Sequence, residues 1–513
     1  MISRSINKEL LLAKKLNEEG KYEDALQIIS VLEKRGDLSQ FEHLSCKITK
    51  GTIMIMVGQY SEVLKFVEGI IQRCQELGKK LLLVDAFILK SRALYWLRKL
   101  DEMLDILEQS DILLKTLTDV SSNEIKKRKA WISWGKGLIY KDKQEPDLQI
   151  KYLEDGLKLG EDTKNSEIKF KCNMLIGYYY TYQGDYELAL LHINRSLEIA
   201  KEMQNHIIIA WSFSNLAIIN YDKGELDDCI KNLKKALKLY RQTNNKLHFS
   251  HSLNILSYVY IEKGDFNRAS KYLKRCLIFF EEIGDVNNIS DSLHGLIFTS
   301  IQMGDYKQTH LYFNRLKQIN KKEKNQKFVD IIYRFSKALM LKEVPHLFNL
   351  SRSKLILEKI INEENIAFGF YITAILELCH LYLIELKDTN DLKLLDTIQL
   401  FIKKLNESAK KIHSYWLLAE IQLIQAKLEL ITLDLNEAQH SLIKAHEIAD
   451  KYGLNLLDSR ILYQQDELKK ELAKWEKLKH SKSFISERIE LAGVEEQLIL
   501  MLRKRISLDK IYF

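Results

Sequence analysis

Four six-residue strings in this chain align without a gap: Gly184-Asp-Tyr-Glu-Leu-Ala189, Gly224-Glu-Leu-Asp-Asp-Cys229, Gly264-Asp-Phe-Asn-Arg-Ala269 and Gly304-Asp-Tyr-Lys-Gln-Thr309. Their glycines fall at 184, 224, 264 and 304, a constant step of 40. A fixed period of this length means a stacked array of one supersecondary unit rather than a closed globule. Each glycine follows an apolar-periodic stretch of about 15 residues and precedes one of about 18. After Gly184, the residues Leu190, Ile193, Leu197 and Ala200 fall three or four apart and share one helical face. The glycine supplies the left-handed residue that ends a helix. The Asp after it suits the N-cap of the next. The unit is therefore a helix–turn–helix.

Weaker copies extend the ladder. Gly20-Lys-Tyr-Glu-Asp-Ala25 and Gly58-Gln-Tyr-Ser-Glu-Val63 lie upstream, and Arg98-Lys-Leu-Asp-Glu-Met103 and Gln144-Glu-Pro-Asp-Leu-Gln149 keep the position without the glycine. Leu433-Asp-Leu-Asn-Glu-Ala438 repeats it downstream, and 323–411 holds two irregular helix pairs. The periodicity predicts an all-α solenoid of about eleven helix pairs and then a distinct tail. It divides into 1–163, the regular repeats 164–322, the degenerate repeats 323–453, and C-terminal helices over 454–513.

These residues resemble tetratricopeptide repeats. That signature places a small residue seven before the turn glycine, an aromatic two after it, and small residues five and twelve after it. Around Gly184 these are Gly177, Tyr186, Ala189 and Ser196; around Gly224, Ala217, Leu226, Cys229 and Ala236; around Gly264, Ser257, Phe266, Ala269 and Cys276. Small side chains let paired helices approach, and the aromatic plugs the gap under the turn. Gly304 departs, with Ile297, Thr309 and Leu316, which predicts a wider helix spacing there. The period departs too: common members repeat every 34 residues. The longer unit resembles the arrays of kinesin light chain and MalT-type regulators. The stretches 415–420 and 437–449 resemble prokaryotic members, archaeal ones among them.

The resemblance implies a right-handed superhelix whose first helix of each pair lines a concave groove. Carried over residue by residue, the partner-binding groove takes Lys171, Tyr178 and Tyr182 from one repeat, with Met174 and Thr181. It takes Trp211 and Asn215 from the next, His251, Asn254 and Tyr258 from the third, and His294 and Phe298 from the fourth. Tyr and Trp offer large area with few rotors, and Asn matches a peptide backbone at both polar atoms. The same residues also suit ordinary packing between repeats. Lys171 and Asn215 match pieces of the family's carboxylate clamp, but Met174 stands where a clamp Lys belongs.

The expectation is a non-enzymatic scaffold for protein–protein interaction. The alternatives are a regulatory sensor acting in trans and a nucleic-acid-binding solenoid. No zinc-protease, nucleophile-elbow or phosphate-loop motif occurs, so no catalytic residue, cofactor or metal ligand is assigned. His248 and His251 lack a third ligand, and Cys379 and His380 point to different helix faces. The six cysteines are never closer than 28 residues, which fits reduced thiols and the cytoplasm. The first 20 residues lack a signal-peptide core, and no apolar run approaches the 18 or so residues of a membrane span. Lys+Arg exceed Asp+Glu by only 8. The basic clusters at 126–129, 231–241, 321–327, 474–482 and 503–505 are interleaved with acids, so a solvated face outweighs a phosphate-binding stripe.

In the tail, Ser483 suits an N-cap. Ile485, Ile489, Val494, Leu498 and Met501/Leu502 then form an apolar stripe. It caps the last repeat, as solenoids require, or it docks and mediates self-association. Capping is the favoured expectation.

Overall fold

The computed structural model describes residues 2–323, 326–342, 347–363, 368–411, 413–480 and 484–504. Among them are 26 α-helices and no strand. The first eleven helices are α1 (Ile2–Glu18), α2 (Tyr22–Glu33), α3 (Gln40–Met56), α4 (Tyr60–Glu76), α5 (Lys80–Trp96), α6 (Leu100–Lys115), α7 (Ser122–Asp142), α8 (Pro146–Asp162), α9 (Ser166–Gln183), α10 (Tyr186–Glu202) and α11 (His206–Asp222). There follow α12 (Leu226–Gln242), α13 (Lys246–Glu262), α14 (Phe266–Ile283), α15 (Val286–Gln302), α16 (Tyr306–Lys322), α17 (Lys327–Lys342), α18 (Leu347–Ile361), α19 (Phe368–Thr389), α20 (Lys393–Lys411), α21 (Tyr415–Ile431) and α22 (Leu435–Lys451). These make eleven pairs, the number that the periodicity predicts. The tail is α23 (Asn455–Lys470), α24 (Leu472–His480), α25 (Ile485–Ala492) and α26 (Val494–Lys504).

The ladder glycines do what their spacing demands. Gly184, Gly224, Gly264 and Gly304 have φ of 87°, 79°, 72° and 71°. Where the glycine is missing the conformation persists: Arg98, Gln144 and Leu433 sit at φ 60°, 57° and 63°. The repeat geometry thus overrides the residue at a steric cost. The caps follow as well. The backbone N–H of Arg268 donates to Asp265 Oδ1, and that of Gln308 to Asp305 Oδ1, each at 3.0 Å. Glu225, one atom longer than Asp in the branch, makes no such bond.

The small positions are buried at all three regular repeats, and a side chain at Gly177 would run into Ile193 of α10. Tyr186 is buried beneath its turn, whereas Tyr306 is 58% exposed. The bulkier Ile297 and Leu316 already fill the interior of that repeat.

Packing divides the chain into two compact units. The first is Met1–Tyr179 with Leu188–Ser212, and the second is Tyr180–Glu187 with Phe213–Phe513. In the first, successive odd-numbered helices touch, α1 with α3, α3 with α5 and α5 with α7. In the second the same holds for α15 with α17, α17 with α19 and α21 with α23. Among the described residues no two successive even-numbered helices pack so closely, so the odd-numbered helices in these contacts form the tighter side of their stack.

Each unit also contains a long-range tie. In the first, Asn205 Nδ2 donates to the Glu18 carbonyl at 2.8 Å, and Gly20 lies against the Asn205 amide. In the second, the Gly184 turn lies against Trp416, where a Cβ would come within 3.2 Å of its backbone nitrogen. Ser414 Oγ donates to the Tyr182 carbonyl at 3.4 Å. This contact is why 180–187 belongs to the second unit.

The tail turns back. α25 and α26 lie across α19 and α21, burying Ile485, Ile489, Ala492, Val494, Leu498 and Met501. Ser483, expected as a cap, and Lys482 and Arg505 of the basic clusters lie outside the described residues. The helix α19 contains the one described segment, Gly369–Thr389, that is long and apolar enough to cross a membrane. It is 72% buried among its neighbours, as a core helix would be.

Candidate functional site

In the first unit, three odd-numbered helices bring cations and indoles together. Arg92 comes from α5, a helix otherwise nearly all apolar along its buried length. Its guanidinium carbon lies 4.9 Å from the centre of the Trp131 ring on α7. Lys171 of α9 places Nζ 5.9 Å from the same ring and 5.0 Å from Trp134. The two indoles, three apart and on one face of α7, meet edge-on at 5.5 Å. Glu167 stands 3.9 Å from Lys171, close enough to attract it but beyond a hydrogen bond. Burial pulls the Lys171 ammonium down to about 8, with Glu167 opposing and Arg92 adding to the fall. Burial lowers Arg92 as well.

Farther along the same side, Lys141 lies over Tyr178 at 5.1 Å, and burial lowers it too. Trp211 is half-buried, tilted against Phe170 at 5.9 Å.

In the second unit, the groove residues inferred from the sequence fall on consecutive odd-numbered helices, and several bridge them. Asn254 Nδ2 on α13 donates to Asp291 Oδ2 on α15 at 3.0 Å. His294 Nδ1 on α15 lies 2.8 Å from Ser336 Oγ on α17. His251 contacts the rings of His248 and Phe280 edge-on. Burial pushes His248 down to about 3, so it is neutral. Tyr258 is buried in a cluster with Ile261 and Ala269, against which Phe298 packs. Asn215 is buried, and Tyr182 is half-buried at the end of α9. Among the seven, His251, His294, Phe298 and Tyr182 keep partial exposure, whereas Asn215, Asn254 and Tyr258 face into packed surroundings.

A second constellation lies on α21. Glu420 is 1% exposed and meets Arg460 of α23 at 3.0 Å. Gln497 of α26 closes the group: Arg460 donates to its carbonyl oxygen at 2.6 Å, and its amide donates to Glu420. One face farther along, Lys427 Nζ donates to Gln464 and to the Ala492 carbonyl, both at 2.8 Å. It therefore caps the C-terminal end of α25, where carbonyls lack helical partners. Burial, with Arg460 nearby, brings Lys427 down to about 8. Glu495 of α26 accepts from Lys387 at 2.5 Å and lies 3.3 Å from His380 Nε2. The inner side of α19 and α21 thus holds a helical segment by its apolar stripe, by one helix end and by charged side chains.

Arg92, Trp131, Trp134, Glu420, Lys427 and Arg460 are absent from the sequence-derived set. Their signal was available: a charge at a position where the helix is otherwise apolar on the same face, as Arg92 in α5 and Glu420 with Lys427 seven residues on in α21. The basic run at 126–129 is largely paired: Lys126 with Asp162, Lys127 with Glu124, and Arg128 with Asp85 and Glu124. All six cysteines are buried and none forms a disulfide, and burial raises each of the thiols at 46, 74, 172, 229 and 379.

Residues 208–282 match the tetratricopeptide repeat family. A comparison with curated proteins gives no match. Among solved structures, the chain is similar to the apo form of the quorum sensor NprR from B. thuringiensis, at 15% identity and a TM-score of 0.51. That alignment covers 71% of this chain and 100% of that one. It is also similar to a Rap protein complexed with Competence and Sporulation Factor (15% identity, 74% and 98% covered, TM-score 0.47). A third is aspartyl phosphate phosphatase F from Bacillus subtilis (14% identity, 70% and 95% covered, TM-score 0.43). Residues 208–282 thus carry tetratricopeptide repeats, within a helical array of eleven pairs of the same plan.

Proposed function

We propose that the inner side of the odd-numbered helices is a peptide-binding surface, and that the protein is a non-enzymatic scaffold for a protein partner. One observation carries this reading: the chain already seats one of its own helical segments there. Across α19 and α21, the pair α25–α26 is held by an apolar stripe, a lysine on a helix end and a buried carboxylate group. These are the interactions by which a groove takes an amphipathic helix. Lys171, Tyr178 and Trp211 in the first unit, and Tyr182, Asn215, His251, Asn254, Tyr258, His294 and Phe298 in the second, are the sequence-derived groove residues. The buried thiols, none of them in a disulfide, suit a reducing compartment, which we take to be the cytoplasm.

The test is affinity capture from nuclease-treated native lysate. Wild type runs beside a Lys171→Ala/Trp211→Ala/His251→Ala variant of matched helicity. A protein held by the first and lost by the second supports the reading. An identical catch overturns these residues as the binding surface.

A second reading, a regulatory sensor acting in trans, is favoured by the same tail. A segment already occupying the surface gives an incoming ligand something to displace, and a displaced tail is a signal.

A further inference from the structure

The helices α25 and α26 are 8 and 11 residues long. Helices that short are marginal on their own in water. The surface of α19 and α21 holds them, and most of the grip from α26 is apolar: Val494, Leu498 and Met501 are wholly buried. Gln497 is the exception. It lies in the same stripe and is 3% exposed.

Its carboxamide is bonded at both atoms. Arg460 of α23 donates to the carbonyl oxygen at 2.6 Å, and the amide nitrogen donates to Glu420 of α21. Glu420 and Arg460 are themselves paired at 3.0 Å. The three side chains form a closed triangle with a donor facing an acceptor along every edge. A carboxamide closes it because one planar group offers an acceptor to the arginine and a donor to the glutamate. An ionised carboxylate there sets a second negative charge beside the buried Glu420. An apolar group leaves both charged partners short of a bond where water does not reach.

Two contacts fix the segment lengthwise. Lys427 of α21 donates to the Ala492 carbonyl that ends α25, at 2.8 Å, and Arg488 of α25 donates to the Ile431 carbonyl that ends α21, at 3.3 Å. Each helix end is capped by a cation of the other.

We propose that the Glu420–Arg460 pair is a site that reads a side-chain amide, and that the partner bound on α19 and α21 is an amphipathic helix of another protein that replaces α26. That helix carries Gln or Asn with apolar residues three before, one after and four after it, as Val494, Leu498 and Met501 stand to Gln497. The inference rests on the peptide-binding reading above and names what the partner must carry. The tail is the protein's own copy of that ligand, and its two short helices regain chain entropy when they leave.

The test uses the full chain carrying Gln497→Glu as receptor, since a carboxylate against Glu420 loosens the chain's own tail. The probe is a dye-labelled peptide of residues 484–504, followed by anisotropy. The native peptide is expected to bind this receptor about tenfold or more tightly than peptides carrying Gln497→Glu or Gln497→Leu. Wild type, with its own tail in place, is expected to bind the native peptide about tenfold or more weakly than the receptor does. Adding Glu420→Gln to the receptor inverts the order of the amide and carboxylate peptides, because Arg460 then faces the incoming carboxylate without an anion beside it. Leu498→Ala loosens the tail without touching the triangle and is a second receptor, expected to rank the peptides as the first does. Circular dichroism checks that every receptor folds.

Equal binding of the three peptides would overturn the amide site and leave the peptide surface standing. So would a Gln497→Glu tail that keeps its hydrogen-exchange protection. Wild type binding the native peptide as tightly as the receptor would overturn the replacement of α26. No binding of any peptide to a receptor whose tail exchanges freely would overturn the peptide-binding reading at this face and this inference with it.

Discussion

The two units treat charge on their inner faces in opposite ways. In the second, Glu420 is sealed by Arg460 and Gln497, and Lys427 by the carbonyl at the end of α25. All three of those partners belong to the tail, Arg460 on α23, Ala492 on α25 and Gln497 on α26. In the first, Arg92 has a sulfur and an indole. The burial is similar, and the difference is whether a peptide segment has been supplied. A solenoid face that holds its own helix completes its polar groups with it. The first unit's face holds no such helix among the described residues, and there Arg92 has the Met56 sulfur and the Trp131 ring.

The sharpest way to break this comparison is to remove one arginine from each side. Arg460→Leu leaves Glu420 buried with Gln497 alone, and the loss is expected to be about 3–4 kcal/mol, read as local destabilisation of α21 and α26 by hydrogen exchange. Arg92→Met removes a cation that lacks a full partner set and is expected to change stability by less than about 1 kcal/mol, or to increase it. Equal losses at the two positions would show that Arg92 is structurally satisfied after all.

Next in size is the tail's apolar grip. Leu498 is wholly buried on the α19–α21 surface. Leu498→Ala is expected to cost about 3 kcal/mol and to make α25–α26 the first site of proteolytic cleavage. A tail that keeps its protection would mean that the ionic contacts alone hold it there.

What the sequence disclosed follows from periodicity. The 40-residue step locates the pairs, and Gly184, Gly224, Gly264 and Gly304 are where the backbone turns left-handed. The stripe Ile485, Ile489, Val494 and Leu498 is equally legible as an apolar face. What it covers is not, because a stripe records only that something apolar lies opposite, and α19 ends at Thr389, far back in the chain from Ile485. The groove residues carried from the repeat signature fall on inner helices, but a repeat pattern does not report how far each side chain is enclosed. Asn254 finds Asp291 of the next repeat. Arg92 went unremarked because cations were sought in clusters, and the sequence does not say that α5 buries Arg92 while leaving Lys90 half-exposed.

The comparison sharpens with pH. Burial brings Lys171 down to about 8, with Glu167, Arg92 and Cys172 facing it. A partner carboxylate held by Lys171, as in the family's clamp, favours the ammonium and raises that value. Affinity for a carboxylate-bearing peptide is therefore level below pH 8. It falls as pH rises beyond it, by up to about 1.4 kcal/mol per pH unit until the bound-state value is reached. Anisotropy titrations between pH 6.5 and about 10 read this directly. Lys171→Arg, which stays charged, flattens the profile. A fall that persists in the Arg variant would assign the titration to another group.

The smallest effect concerns the turns. Leu433 in the second unit and Arg98 in the first hold the ladder position at φ 63° and 60° without being glycine. Leu433→Gly relieves that conformation and is expected to gain up to about 1 kcal/mol, because no ion pair or side-chain hydrogen bond is lost. Arg98→Gly relieves the same strain but gives up the pair with Asp142, now at 2.6 Å. Asp142 is largely enclosed, so the lost pairing offsets the backbone gain and the net change is expected to be near zero. Thermal unfolding followed by hydrogen exchange in each unit separates the two. If both substitutions stabilise equally, the Arg98–Asp142 pair contributes nothing and the repeat geometry alone sets the cost. If only Leu433→Gly does, the first unit has used a side-chain contact to make a strained turn tolerable, and the second has not.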